Sequence, residues 1–181
     1  MCAALPVSGV KKVALVGMPG AGKSSVGLLV AEKLQWDFVD VDGDIEKEAG
    51  MSIADIFESH DYGELKFRAL EHEAIAALIR SPELLVCATG GGAVENEVTR
   101  KLLAAPEVFV VWLSADLEAL LDRTANSANR PLLRSDPRQA IKVLMDRRVP
   151  LYKSITDVTI DTDTASIEEV ADNVIHALRH R

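Results

Sequence analysis

The eight residues Gly17-Met18-Pro19-Gly20-Ala21-Gly22-Lys23-Ser24 constrain this chain more than any other stretch. They fit G-x-x-x-x-G-K-[ST], a loop whose small residues let consecutive backbone N–H groups curl round a phosphate. The helix that must follow turns its positive N-terminal end to the same anion. Lys23 adds charge for the outer phosphates, and the Ser24 hydroxyl can sit on Mg²⁺. The alternative is a glycine-rich turn beside an incidental lysine. At a glycine frequency of about 7%, however, two glycines at this spacing arise in only about 1 in 200 positions. Context decides for the phosphate loop. Lys12-Val13-Ala14-Leu15-Val16 is an apolar run just before it, and Val26 to Leu34 has a helical pattern just after it. The segment Gly20, Ala21, Gly22, Lys23, Ser24 and Ser25 is the expected nucleotide-binding site.

Apolar runs alternate with helical patterns along the rest of the chain, which predicts an α/β fold with a parallel sheet. Strands are expected at Lys12–Gly17, Asp37–Val41, Leu84–Thr89, Val108–Leu113 and Val158–Ile160. Helices are expected at Ser24–Leu34, Asp44–Ala49, Ser52–Ser59, Gly63–Ile79, Glu95–Ala104, Asp116–Thr124, Pro137–Arg148 and Ser166–Arg179. Gly50 has the character of a residue just past a helix end, and Ser166 with Glu169 forms a capping-box pattern. A length of 181 residues suits one domain, with residues 1–10 as a short leader and 124–135 as a lid loop. That loop, Ala125 to Ser135, is small, polar and without helical period. An arginine-bearing lid suits phosphoryl transfer, which must exclude water; an ordinary surface loop is the plainer reading.

Composition narrows the partners. The net charge of −8 argues against a nucleic-acid binder. No apolar run approaches a membrane span, and no secretory signal is recognisable. Cys2 and Cys87, far apart, fit a reduced cytoplasmic protein without a disulfide framework. From Arg123 to Lys153, eight basic residues face only Asp136 and Asp146. This suggests a local anionic ligand, or equally a solvated helix with a basic face.

Asp40-Val41-Asp42 closes the second expected strand, where carboxylates two apart share a face and the carboxyl end meets the ligand crevice of open α/β sheets. One can hold Mg²⁺ while the other accepts a hydroxyl's proton; alternatively Asp42 or Asp44 merely caps the next helix. Gly90-Gly91-Gly92 follows the third strand and gives room for a ligand against the backbone. Arg68 and Glu71 stand at i, i+3, either as a surface ion pair or with Glu71 orienting Arg68 towards a carboxylate. Pro150 is expected to stop its helix and leave Arg148 at the end. His60, His72, His176 and His180 lack ligand spacing and receive no role.

Taken in order, these residues resemble the shikimate kinase family from about Lys11 to Leu178. The resemblance rests on the phosphate loop, Asp40-Val41-Asp42, Ser52-Ile53-Ala54-Asp55-Ile56-Phe57, Gly63-Glu64 with Phe67-Arg68, Gly90–Gly92 with Ala93-Val94, Arg130-Pro131-Leu132-Leu133, and Arg148-Val149-Pro150-Leu151-Tyr152. It implies a five-stranded parallel sheet of order 2-3-1-4-5 with helices on both sides, and ATP-dependent phosphorylation of the 3-hydroxyl of shikimate. Arg68, Arg148 and the Gly90–Gly92 backbone would bind the substrate, and Asp42 would contact its hydroxyls and act as base. Ser24 and Asp40 would serve Mg²⁺. Arg130 would close with the lid, and Arg123 would face the nucleotide phosphates; Lys23, Asp42 and Arg130 form the catalytic set. Small-molecule substrates and a monomer are expected. Asp161 to Ser166, where the family binds adenine, matches least well, and no adenine contact is assigned there.

Overall fold

The computed structural model describes residues 9–60, 63–125 and 136–181. Most of the expected leader and lid, including Arg130, lies outside the described residues. Five parallel strands form one sheet in the order β2-β3-β1-β4-β5. In chain order they are β1 (Lys12–Val16), β2 (Asp37–Asp40), β3 (Leu85–Ala88), β4 (Val108–Ser114) and β5 (Val158–Asp161). The three central strands are almost continuously apolar because helices cover both faces; every residue of β1 and β3 is buried. Register pairs Ala14 of β1 with Cys87 on one side and Val110 on the other. Even Lys12 is buried. Its ammonium is satisfied by Ser81 O, Ser81 Oγ and Glu83 O, which ties the start of β1 to the turn entering β3.

The helices are α1 (Lys23–Leu34), α2 (Val41–Ala49), α3 (Ile53–Glu58), α4 (Gly63–Arg80), α5 (Glu97–Leu103), α6 (Leu117–Thr124), α7 (Pro137–Ile155) and α8 (Ile167–Arg179), with a 3₁₀ turn at Ala93–Glu95 before α5. Their starts follow capping chemistry. Ser52, Asn96, Asp116, Asp136 and Ser166 each accept a backbone N–H of the first turn, and Ser166 with Glu169 completes the capping box. Gly50 ends α2 in the left-handed conformation, as its position suggested. No described helix is long and apolar enough to cross a membrane.

Several boundaries differ from expectation by one to a few residues, and two of these differences matter for the site. Strand β2 ends at Asp40, not Val41, because the Asp40 carboxylate caps α2 by accepting Gly43 N–H at 3.3 Å. Asp42 therefore sits in the first helical turn and does not share a strand face with Asp40. Helix α7 does not stop before Pro150 but runs through it to Ile155. An interior proline costs about 3 kcal/mol. The turns beyond it bury Tyr152 and pack Leu151 and Ile155 on the core, which offsets that cost.

Gly17 joins β1 to the loop at a φ of +148°, and a Cβ there would lie 2.5 Å from Leu113 O of β4. Gly17→Ala is expected to lower unfolding stability by about 1–3 kcal/mol, read from denaturant midpoints. A wild-type midpoint would show that the loop does not press on β4 in solution.

Candidate active site

The sheet order sets the site. Strands β2, β3 and β1 lie side by side, so their carboxyl ends bring Asp40, Gly90–Gly92 and the Gly17–Ser24 loop to one edge. A cavity of about 530 Å³ opens there, within the usual range for small-molecule sites. It is lined by Gly20, Gly22, Lys23, Ser24 and Ser25 on one side, and by Asp40, Asp42, Arg68, Glu71, Gly90–Gly92 and Arg148 on the other; Arg123 lines it too. Of the expected nucleotide segment, Ala21 alone is turned away. Its methyl is buried in the core, and its N–H closes a turn on Met18 O.

On the loop side, Lys23 Nζ donates to Gly17 O and Met18 O at 3.0 and 3.1 Å, so the ammonium lies across its own loop. Ser24 Oγ donates to Asp40 Oδ2. Hydroxyl and carboxylate oxygens thus adjoin at the loop's end, which is the hard-oxygen chemistry a magnesium ion takes. Arg123 reaches the same cavity from α6, but its guanidinium is bonded to Thr162 Oγ1 and to the carbonyls of Thr162 and Asp163 after β5.

On the acceptor side, three glycines each make room for a different neighbour. A Cβ at Gly90 would lie 2.0 Å from Glu71 Oε1 and 2.6 Å from Asp42 Oδ1. One at Gly91 would press Pro19 of the phosphate loop, and one at Gly92 would meet the Arg68 guanidinium at 2.4–2.5 Å. Thr89, just before them, pins the turn to β1 through its N–H and hydroxyl, both on Leu15 O. Tyr152 OH donates to Gly91 O at 2.6 Å.

Arg68 donates to Glu71 Oε2 at 2.8 Å and is flanked by the Phe57 and Phe67 rings. Glu71 is 2% exposed, so the ion pair is internal and the surface-pair reading falls. Glu71 Oε1 and Asp42 Oδ1 are buried without a hydrogen-bond partner among the described residues. Burial raises the pKa of both carboxyls. For Asp42 the nearby Asp40 charge adds to the rise while Lys23 opposes it; for Glu71 the arginine opposes it. Arg148, 2% exposed on α7, donates through Nε to Glu95 Oε1 at 2.6 Å, and Arg147 joins the same carboxylate. Although burial works the other way, the two arginines hold Glu95 below the usual carboxylate range.

Lys23, Ser24, Asp40, Asp42, Arg68, Gly90–Gly92 and Arg148 thus meet in one cavity, with Arg123 at its rim. Arg130 lies outside the described residues. Glu95 was missed because sequence pattern marked it only as a helix start. Its position three residues after Gly92, within reach of a basic helix, was the available signal.

The ionisation of Asp42 can be checked directly. Its carboxyl should titrate above the ordinary aspartate value of about 3.9, read by carbon-13 NMR. Lys23→Met, which removes an opposing positive charge, should raise the midpoint further. A midpoint at or below the ordinary value would mean that water or a cation reaches Oδ1 in solution.

The family model for shikimate kinase matches residues 19–179. A shikimate kinase of Francisella tularensis subsp. novicida is 41% identical over 165 residues, spanning 91% of this chain and 92% of that protein. One of Mesorhizobium japonicum is 42% identical over 175 residues, spanning 95% and 83%. Among solved structures, a shikimate kinase from Acinetobacter baumannii in complex with shikimate aligns with a TM-score of 0.87 at 36% identity, covering 92% of each chain.

Proposed function

This chain belongs to the shikimate kinase family, and from that premise we propose that it transfers the γ-phosphoryl group of ATP to the 3-hydroxyl of shikimate, giving shikimate 3-phosphate and ADP in aromatic amino acid biosynthesis. One observation carries the reading to this chain's own residues: Asp42, Arg68 and Arg148 converge with the Gly90–Gly92 turn in the cavity that the phosphate loop opens into. Family membership implies ATP as co-substrate. We place the enzyme in the cytoplasm, where ATP is available, and read it as a monomer, since one chain supplies both sides of the cavity.

Phosphoryl transfer asks a protein mainly for positioning and charge stabilisation. Loop N–H groups and Lys23 hold the outer phosphates, and Lys23 follows negative charge as it shifts towards ADP. The Ser24 and Asp40 oxygens would hold Mg²⁺, which when bound neutralises charge on the β- and γ-phosphate oxygens. Arg68 and Arg148 grip the substrate carboxylate and the glycine turn fits the ring between them. This fixes the 3-hydroxyl near Asp42. The hydroxyl oxygen bonds to the γ-phosphorus as the bond to the ADP oxygen breaks, and Asp42 accepts the released proton. A carboxylate whose pKa is raised by burial is a stronger base than an exposed one. Arg123, released from Thr162, and Arg130 from the lid would add positive charge on the nucleotide side.

An ADP-release assay over shikimate, quinate and gluconate tests the reading. Shikimate should give by far the highest kcat/KM, and Lys23→Met should abolish turnover in a folded protein, because this lysine stabilises transferring charge and not the core. Preference for gluconate, or normal turnover in Lys23→Met, would overturn it.

The arginine clamp has its own check in the neutral carboxamide of shikimate. Charge-assisted hydrogen bonds contribute about 1.5–3 kcal/mol each, or roughly one to two decades of affinity. Wild type should strongly prefer the acid, and Arg68→Ala or Arg148→Ala should lose much of that preference. Arg148→Lys should restore it only in part, since lysine lacks the planar fork. Equal weakening of acid and amide would make both arginines structural.

A further inference from the structure

Glu95 has no part in the chemistry above, yet it is bonded to a residue that does. It closes the 3₁₀ turn Ala93–Glu95 directly after the glycine turn. Its carboxylate accepts Arg148 Nε at 2.6 Å and Arg147 Nη2 at 2.9 Å. The three side chains grade outward: Arg148 is 2% exposed, Glu95 24% and Arg147 52%. The bond to Arg148 runs through Nε and leaves the terminal amino groups to the cavity this arginine lines.

We propose that Glu95 is a positioning residue for Arg148 that sets the enzyme's selectivity for an acid, with Arg147 as its charge balance. The inference rests on the functional reading above. A buried guanidinium without a counter-charge is costly and free to turn. Glu95 supplies the counter-charge from the side and fixes the plane of the fork before substrate arrives, so less ordering remains to be done on binding. A lone carboxylate here would also cancel the charge that the substrate needs. Arg147, on the outer side of Glu95, offsets it and leaves Arg148 with a positive charge towards the cavity. Glu71 holds Arg68 through Nη1 at 2.8 Å, with Glu64 at 3.5 Å from Nη2, so each arginine has a glutamate beside it while lining the same cavity.

Steady-state kinetics on Glu95→Ala, Glu95→Gln and Arg147→Ala, with shikimate, its carboxamide and MgATP, tests this. Glu95→Ala should raise the shikimate KM about tenfold, one charge-assisted bond's worth. The preference for acid over amide should fall by the same factor, with kcat and the MgATP KM at wild-type values. Glu95→Gln keeps an acceptor for Nε but no charge, and should fall between wild type and Glu95→Ala. Arg147→Ala, which leaves the Glu95 charge unbalanced, should also raise the shikimate KM. Three results would overturn the proposal: an unchanged shikimate KM, a lowered KM (Glu95 competing with substrate), or a loss shared equally by acid, amide and nucleotide. If Glu95→Ala does not fold, Glu95→Gln decides alone, a reduced acid preference supporting the role and a wild-type preference refuting it. Wild-type enzyme inert towards shikimate would sink the functional reading with this inference; active wild type with an unchanged Glu95 variant would sink the inference only.

Discussion

The closeness of Gly90–Gly92 to its neighbours is the constraint on which the acceptor side of the cavity depends. Within three residues this turn touches Glu71 and Asp42, then Pro19 of the phosphate loop, then the Arg68 guanidinium. A Cβ at any of the three would force one of these neighbours to shift. The turn is held from behind by Thr89, which bonds Leu15 O of β1, and from the side by Tyr152 of α7, which bonds Gly91 O. The phosphate loop, the proposed base Asp42 and the proposed carboxylate grip Arg68 are therefore spaced by one stretch of backbone, and backbone held by hydrogen bonds moves less than side chains do. Transfer over about 3 Å needs such spacing, since small misplacements of reacting atoms cost rate steeply.

Electrostatics explains why the pocket tolerates so many charges. Asp42 and Glu71 bring two carboxyls against the same glycine, each with one oxygen lacking a partner among the described residues. Arg68 satisfies half of Glu71, and Lys23 opposes the rise at Asp42. Removing one partner of a buried pair leaves the other uncompensated, which is why such pairs are costly to break even where their net contribution is small. The arrangement is better understood as fixing geometry than as stabilising the fold. It keeps the Asp42 carboxyl and the Lys23 and Arg68 cations apart, which would otherwise collapse on each other.

Much of this was legible in the chain. The phosphate loop declares itself because its function needs particular residues at fixed spacing, and the buried strands because both faces are covered. The Arg68–Glu71 spacing was visible, but whether the pair was internal was not, since burial is decided by what packs over α4. Strand order came from resemblance alone: parallel strands linked by helices carry no local mark of their neighbours. Asp40 and Asp42 were found, but their shared strand face was wrong, because a capping aspartate and a strand-end aspartate have the same local sequence. Glu95 was invisible for a similar reason. Its partner is more than fifty residues away, on a helix whose end was misjudged.

That misjudged end bears on specificity. A proline normally closes a helix, and with α7 stopping at Arg148 nothing would fix that arginine except its own last turn. Instead the helix continues to Ile155, so Leu144, Arg148 and Tyr152 stand at successive i, i+4 positions on one buried stripe. Tyr152 stacks on Trp112 of β4 and bonds the glycine turn; Arg148, one turn earlier, bonds Glu95 just past that turn. Two anchors one helical pitch apart determine both the height and the rotation of α7 over the cavity. A single anchor would leave rotation free, and the Arg148 fork would sweep across the pocket. The hydrogen bond given up at Pro150 is thus a local loss within a helix whose position is set by Tyr152 below it and Glu95 beside it. The phosphate loop would bind a nucleotide on many scaffolds. On the function proposed for this chain, the choice of an acid as acceptor would reside in how α7 is fixed over the glycine turn.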